Sequence, residues 1–134
     1  MAYFHDAAEV DQYIGGVFRA AAAHDEIGPK FKATDMVLRV YYSDPDVVMN
    51  VVMKEPEMTV TVGDESEPAT VTLLMKSDTG DKFWRGEYNL AVGLAKGEVK
   101  AKGPVNKILK LVPLAKSLFP IYRALVADKD AANA

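Results

Sequence analysis

The sequence has 134 residues, of which 49% are hydrophobic and 26% charged, with a net charge of −3 and without cysteine. This length and apolar content suit one continuous core, so we expect residues 1–134 to form a single domain. The absence of cysteine excludes disulfides, thiolate metal ligands and a thiol nucleophile.

Charge is divided unevenly along the chain. Residues 1–95 carry 16 acidic and 8 basic side chains, whereas residues 96–134 carry 3 acidic and 8 basic. A basic C-terminal part on an acidic body can meet an anionic head group, a phosphate or an acidic partner. The alternative is a solvated helix face together with a strand edge that lysines keep from aggregating.

The N-terminal third predicts a helix and a connection. Apolar residues recur at helical spacing over residues 9–24, which indicates an amphipathic helix packed on a sheet. Gly15-Gly16 lowers helix propensity in its middle and indicates a close approach of another element. We expect Gly28-Pro29 to break the chain and residues 30–35 to form a short irregular connection.

Four strands are predicted at residues 36–42, 47–54, 58–62 and 69–76, because apolar and polar side chains alternate there. Short polar turns join the first two strands and the last two, which predicts a four-stranded meander. The second strand has apolar residues on both sides of Asn50, as expected of a central strand covered on both faces.

The next segment predicts two short helices and a fifth strand. Asp78 and Thr79 are expected to cap the first helix, and Asn89 has the chemistry of an N-cap for the second. Gly97 is placed to end the second helix in a left-handed conformation. Alternation over residues 98–102 then predicts the fifth strand.

The C-terminal tail predicts helices that cover the sheet. Its apolar stripe is interrupted by Pro113 and Pro120, which indicates a kinked or segmented lid. The apolar band is wider than one contact with a sheet requires, and a ligand or partner would cover such a surplus. Residues 128–134 are expected to fray. The first part of the stripe consists of Val105, Ile108, Leu109 and Val112.

A family resemblance rests on residues 83–103. Small and aromatic residues follow the pattern Phe83-Trp84-x-Gly86-Glu87-x-Asn89-x-Ala91-x3-Ala95-x-Gly97-x-Val99-x3-Gly103. This pattern, with the order of elements along nearly the whole chain, resembles sterol carrier protein 2 domains, the sterol-transfer family of small lipid-binding modules. One departure is Pro104, where the family often has a polar residue. The resemblance implies an α+β fold, a single five-stranded mostly antiparallel sheet with helices packed on one face, enclosing a hydrophobic tunnel.

Catalytic and metal-binding residue types lack the spacing that their chemistry requires. His5 and His24 belong to no metal-ligand pattern, and no serine lies in a nucleophile elbow. The acidic balance opposes contact with nucleic-acid phosphates. We therefore expect no catalytic residues, no metal, no cofactor and no nucleic acid partner.

The hydrophobic signal and the resemblance together predict a non-enzymatic domain that binds and transfers or presents a hydrophobic ligand. The resemblance implies a fatty acid, fatty acyl-CoA or sterol-like lipid in the tunnel, released when the C-terminal lid opens. Lys100, Lys107 and Lys110 are expected to contact its head group or phosphate. The expected lipid-binding residues are Met49, Val51, Met75, Phe83, Trp84, Leu94, Leu109, Leu118, Phe119 and Tyr122.

Two other functions stay open. The apolar tail can close a homodimer or dock on an enzyme of lipid or steroid metabolism. An enzyme with carboxylate catalysis would use an acid such as Glu87, for which the sequence offers no second catalytic group.

The expected location is the cytoplasm. The sequence lacks the apolar run of a membrane span and the pattern of a signal peptide. Asp6, Glu9 and Asp11 on the first helix would be repelled by anionic lipid, so stable membrane insertion is not expected.

Overall fold

A computed structural model describes residues 2–133. The chain alternates short helices with the strands of one sheet. In chain order the elements are α1 (Ala7–Val10), a π-helical segment (Asp11–Gly15), α2 (Gly16–Ala23), α3 (Ile27–Lys32), β1 (Met36–Ser43), β2 (Val47–Met53), β3 (Thr59–Val62), β4 (Val71–Lys76), α4 (Ser77–Trp84), α5 (Leu90–Lys96), β5 (Lys100–Lys102), α6 (Val105–Lys116) and α7 (Phe119–Asn133).

The predicted α+β class and the five-stranded, mostly antiparallel sheet are confirmed. The strand order is β3-β2-β1-β4-β5, and β1 with β4 is the parallel pair. The meander is therefore wrong: β4 pairs with β1, where Leu38 lies opposite Val71, and not with β3. Alternation shows which face of a strand is buried, but it carries no information on which strand lies beside it.

The middle strand of the sheet is β1, and β2, which lies between β3 and β1, is an interior strand covered on both faces, as predicted. Asn50 of β2 is buried by a loop on the face away from the helices. Arg39 Nε donates to Asn50 Oδ1 at 2.7 Å, and Asn50 Nδ2 donates to the carbonyl oxygen of Asp64. Its two-sided burial thus comes from residues of the β3–β4 connection.

The first helix is confirmed, and a π-helical turn explains its glycine pair. Arg19 Nη2 pairs with Asp11 Oδ1 at 2.7 Å across the π-helical segment. A Cβ at Gly15 would lie 2.6 Å from that carboxylate oxygen, and one at Gly16 would lie 3.6 Å from Leu125 of α7. The expected close approach therefore exists on both sides of the helix.

The predicted irregular connection after Gly28-Pro29 is wrong in part, because α3 extends to Lys32 and the connection to β1 is limited to residues 33–35. Gly28 and Pro29 both lie in the first helical turn, where Pro29 leaves no helical hydrogen bond unmade. Gly28 lies against the carbonyl oxygens of Ala21 and Ala22, each 3.0 Å from an added Cβ.

The structure corrects the predicted cap of α4 and confirms the predicted cap of α5. Helix α4 begins at Ser77 without a side-chain cap, so the capping role predicted for Asp78 and Thr79 is wrong. Asp78 Oδ1 instead accepts the backbone N–H of Tyr3 at 2.9 Å. Asn89 caps α5 as predicted by accepting the N–H of Val92, and Gly97 ends it at φ +78°.

The C-terminal tail forms two helices, which confirms its segmentation. Pro113 lies inside α6 and Pro120 in the first turn of α7, where its missing N–H costs nothing. Part of the predicted stripe is wrong: Val105 and Leu109 are 39% and 40% exposed. Ile108 is buried as predicted, and α6 also buries Leu111 and Ala115.

The predicted fraying after residue 127 is wrong, because α7 continues to Asn133. Lys129 Nζ lies 2.9 Å from Glu9 Oε1, and Asp130 Oδ2 lies 2.8 Å from Arg85 Nη1. Ala134, which the prediction included, lies outside the described residues. Of the helices within residues 2–133, none has the length and apolar character to cross a bilayer.

Candidate functional site

An apolar cavity of about 60 Å³ lies between the helix-covered face of the sheet and α6. The inward side chains of β1 and β4 form its floor, because they share one face of the parallel pair. The hydroxyl of Tyr42 and the indole N–H of Trp84 are the hydrogen-bonding side-chain groups of its lining. The lining consists of Phe18, Phe31, Leu38, Val40, Tyr42, Leu73, Met75, Gly80, Phe83, Trp84, Leu90, Ile108, Leu111, Val112 and Ala115.

A cluster of aromatic rings forms one end of the cavity. Trp84 meets Phe18 edge to face at 5.1 Å and Phe83 at 5.2 Å, and Phe83 meets Phe119 at 5.6 Å. Trp84 is 4% exposed and Phe83 is half-buried. Adjacent residues of a helix point about 100° apart, so one of these two rings packs in the core and the other lies nearer the surface.

At the same end, Gly80 allows α4 to pack closely on β1 and the first helix. A Cβ at Gly80 would lie 2.9 Å from Tyr42 Cε1 and 3.1 Å from Ile14 Cδ1. Tyr42 is buried, and burial raises the pKa of its hydroxyl, which therefore stays protonated at neutral pH.

A groove of about 560 Å³ runs along the outside of the molecule between α5 and α6. Phe83, Leu90 and Val112 line both this groove and the inner cavity. These three side chains thus lie between the cavity and the groove. Leu109, Phe119 and Lys116 line the outer part of the groove.

Tyr88 supports the groove from the α5 side. Its ring lies across Gly93, where an added Cβ would be 2.0 Å from the hydroxyl oxygen. The hydroxyl donates to Glu98 Oε1 at 2.9 Å. Desolvation, with the hydrogen bond to Glu98, raises the pKa of Tyr88 to about 12.

A polar cluster beside the cavity joins α4 to α7. Tyr122 donates to Asp81 Oδ1 at 2.6 Å, and Arg85 Nε lies 2.9 Å from Asp81 Oδ2. Arg85 also makes two hydrogen bonds to Asp130, at 2.8 and 3.0 Å. The hydroxyl of Tyr3 donates to the same Asp130 carboxylate at 2.6 Å.

The pKa values in this cluster follow from burial and the Arg85 charge. Burial raises the pKa of Asp81, while the hydrogen bonds from Tyr122 and Arg85 oppose that shift. The hydrogen bonds from Arg85 lower the pKa of Asp130. Burial next to Asp81 raises the pKa of Tyr122. The groups are arranged as a clamp on α7.

Three of the ten predicted lipid-binding residues, Met75, Phe83 and Trp84, line the cavity. Leu109 and Phe119 line the groove, which Phe83 also reaches. The other five line neither the cavity nor the groove. Those on β2 lie one strand farther from α6, and those near the α6–α7 junction face α4. These five are Met49, Val51, Leu94, Leu118 and Tyr122.

The three lysines that were predicted to contact a head group do not lie together. Lys100 is exposed on β5, on the sheet face away from the cavity, because its neighbour Ala101 pairs with inward-facing Leu73. Lys107 and Lys110 instead line a pocket of about 330 Å³ between α3 and α6. Lys30, which the sequence analysis does not single out, lines the same pocket.

Most cavity residues that the sequence analysis misses come from β1 and α6. Leu38, Val40 and Tyr42 were recognised as one face of a strand, but their place beside α6 depends on the parallel pairing. For α6, the predicted stripe includes Ile108 but omits Leu111 and Ala115, which follow it at spacings of three and four residues.

Comparisons with known proteins identify the fold. The structure resembles the sterol carrier protein domain 2 of Helicoverpa armigera (TM-score 0.68, 17% identity, 84% of this chain and 89% of that one). It also resembles a UbiJ-SCP2 ubiquinone synthesis protein (TM-score 0.64, 18% identity, 84% of this chain and 93% of that one). The chain therefore has the fold of sterol carrier protein 2 domains.

The same fold occurs as part of a larger enzyme. A stereoselective inverting sec-alkylsulfatase, Pisa1 from Pseudomonas sp., matches over 72% of this chain and 15% of its own length, with 23% identity and a TM-score of 0.62. The sequence matches no protein-family model and no curated protein.

Proposed function

We propose that residues 1–134 form a lipid-binding domain that carries or presents a hydrophobic ligand and catalyses no reaction. The observation that carries this proposal is an apolar cavity between the sheet and α6, separated from the outer groove by Phe83, Leu90 and Val112. Burial of an apolar chain there would stabilise the complex by about 25 cal/mol for each Å² removed from water. The ligand class we propose is a fatty acid, fatty acyl-CoA or sterol-like lipid.

Binding requires the cavity to grow. Pockets for small molecules measure roughly 300–1,000 Å³, whereas this cavity measures about 60 Å³. We propose that α6 moves outward and that the side chains of Phe83, Leu90 and Val112 turn aside. The enlarged cavity would then join the groove along α5 and α6 into the tunnel that the sequence resemblance implies.

Helix α6 is suited to this movement because apolar contacts hold it. Ile108, Leu111 and Ala115 are its buried residues, and within residues 2–133 no ion pair joins it to another element. Apolar contacts are non-directional, so a lipid chain can replace those that α6 loses.

The proposal is tested by native mass spectrometry of the purified protein, followed by denaturation and organic extraction. We expect a lipid in near-stoichiometric amount, or saturable binding when fatty acids, acyl-CoAs or sterols are added to lipid-free protein. A protein that binds none of these ligands contradicts the proposal.

A second candidate is a protein-interaction module. Val92, Val105 and Leu109, on α5 and α6, are 44%, 39% and 40% exposed, and a second copy or an enzyme of lipid metabolism would cover them. Light scattering that shows a stable dimer, together with no lipid binding, would favour this function. The cytoplasmic location and the homodimer stay predictions.

A further inference from the structure

A pocket between α3 and α6 gathers three lysines. Lys30 of α3 and Lys107 and Lys110 of α6 line it, together with Ala33, Thr34 and Met36. None of the six lining residues is acidic. Within residues 2–133, none of the three ammonium groups lies within 4.0 Å of a carboxylate.

The local structure makes the pocket more positive. Helix α6 has no acidic residue in its first turn and no side-chain cap. Lys107 lies in that turn, where a helix end already carries partial positive charge and favours anions. Thr34 does not neutralise the site, because its hydroxyl donates to the carbonyl oxygen of Phe31 at 2.6 Å. Three like charges gathered here favour a ligand of opposite charge.

The pocket adjoins the apolar cavity. Each lysine is followed directly in sequence by a residue that lines the cavity, Phe31, Ile108 or Leu111. Neighbouring residues of a helix point about 100° apart, so the lysines form a rim outside the apolar wall. An amphiphile with its chain in the cavity can reach this rim by passing between α3 and α6.

The groove between α5 and α6 is a less suitable place for an anionic group. Its lining contains Glu87 as well as Lys116, so its charges offset each other. The groove and the pocket on the two sides of α6 therefore differ in charge, and the pocket on the α3 side is the cationic one.

We propose that the Lys30–Lys107–Lys110 pocket binds the phosphate head group of an amphiphile whose alkyl chain occupies the cavity. This proposal rests on the proposed function, because the chain must enter the cavity. The lysines would make charge-assisted hydrogen bonds to the phosphate oxygens and select an anionic lipid over a neutral one of the same chain length.

The test compares dodecyl phosphate, dodecanol and inorganic phosphate by calorimetric titration of the full chain. The wild-type protein is expected to bind dodecyl phosphate at least about tenfold more tightly than dodecanol, and this preference should fall as salt is added. Lys107→Gln/Lys110→Gln should remove the preference and leave dodecanol binding unchanged. Lys30→Gln, on the other helix, should lower it about threefold.

The matched control is Lys96→Gln/Lys102→Gln, which removes the same charge from exposed positions on α5 and β5 that line neither the cavity nor the groove. It should keep the preference. A preference that survives Lys107→Gln/Lys110→Gln, or that the control removes, would overturn the assignment of the pocket.

The remaining outcomes separate the two proposals. If dodecanol binds and dodecyl phosphate binds no better, the head-group site is wrong and the proposed function stands. If inorganic phosphate binds as tightly as dodecyl phosphate, the pocket is a free-phosphate site and the link to the cavity is wrong. If neither amphiphile binds, the proposed function itself fails.

Discussion

Helices α6 and α7 are neighbours in sequence, and both present apolar residues to the core, yet different interactions hold them. Helix α7 is tied to α4 and the first helix by Tyr122 with Asp81, Asp130 with Arg85, and Lys129 with Glu9. The buried side chains of α6 are apolar, and within residues 2–133 no ion pair joins this helix to another element.

This difference assigns different roles to the two helices. Separating α7 would take the Tyr122 hydroxyl away from Asp81 and the Asp130 carboxylate away from Arg85, which is unfavourable at mostly buried positions. Moving α6 exposes only apolar surface, which a lipid chain can cover again. The sequence predicts the whole tail as one lid, whereas we propose that α6 is the lid and α7 is part of the frame.

The largest expected effect comes from breaking the α7 clamp. Asp81→Ala leaves the Arg85 guanidinium and the Tyr122 hydroxyl without their carboxylate, so the free energy of unfolding should fall by about 3 kcal/mol in urea denaturation. Lys82→Ala, at the exposed neighbouring position, is the control and should change it by less than about 0.5 kcal/mol. Equal losses in the two variants would mean that the clamp does not hold α7.

A smaller effect is expected from filling the cavity beneath α6. In Ala115→Leu the added carbons occupy space that a ligand chain would take, so affinity for a fatty acid should fall by roughly tenfold. The free energy of unfolding should stay within about 1 kcal/mol of the wild-type value, because the carbons fill an existing cavity. Ala124→Leu, at an exposed position of α7, should leave affinity unchanged; unchanged affinity in Ala115→Leu would contradict the site.

A double-mutant cycle of Gly93 and Tyr88 tests whether the Tyr88 ring packs across α5. In Gly93→Ala the new methyl group displaces the Tyr88 ring, and the loss of its packing offsets the gain of about 1 kcal/mol in helix propensity. In a Tyr88→Ala background the same substitution should raise the free energy of unfolding by about 1 kcal/mol. Equal effects of Gly93→Ala in the two backgrounds would show that Tyr88 does not lie across α5.

The smallest expected effect is a loss of folding stability at acidic pH. The pKa of Asp130 is lowered by its hydrogen bonds from Arg85, so the folded state favours the ionised carboxylate. The resulting stability is present above the unfolded-state pKa of about 3.9 and is lost as the pH falls through the lower folded-state value. Asp130→Asn should make the fall in the free energy of unfolding at acidic pH shallower. An unchanged fall would show that Asp130 does not contribute to the clamp.

The sequence predicted the parts of the fold that local chemistry determines. Alternation identified the buried faces of β1 and β4, and the chemistry of Asn89 and Gly97 placed the ends of α5. The parallel pairing of β1 with β4 was missed, since it joins residues 33 positions apart, such as Leu38 and Val71, through an intervening hairpin.

Contacts between residues distant in sequence also explain the errors at the site. Asp130 and Lys129 looked like a fraying end because their partners, Arg85 and Glu9, lie 45 and 120 residues away. In α6 the stripe containing Val105 and Leu109 and the one containing Leu111 and Ala115 are both apolar. Packing against α3 and β4, which periodicity does not reveal, decides which one is buried.

The central claim, that α6 moves to admit a hydrophobic ligand while α7 stays fixed, is tested most directly by hydrogen exchange with and without a fatty acid. We expect amides of residues 105–116 to exchange faster than those of residues 119–133 in the free protein, and to slow when the ligand is added. Residues 119–133 should change little. Slowing confined to residues 119–133, or equal exchange in both helices with no response to ligand, would contradict the claim.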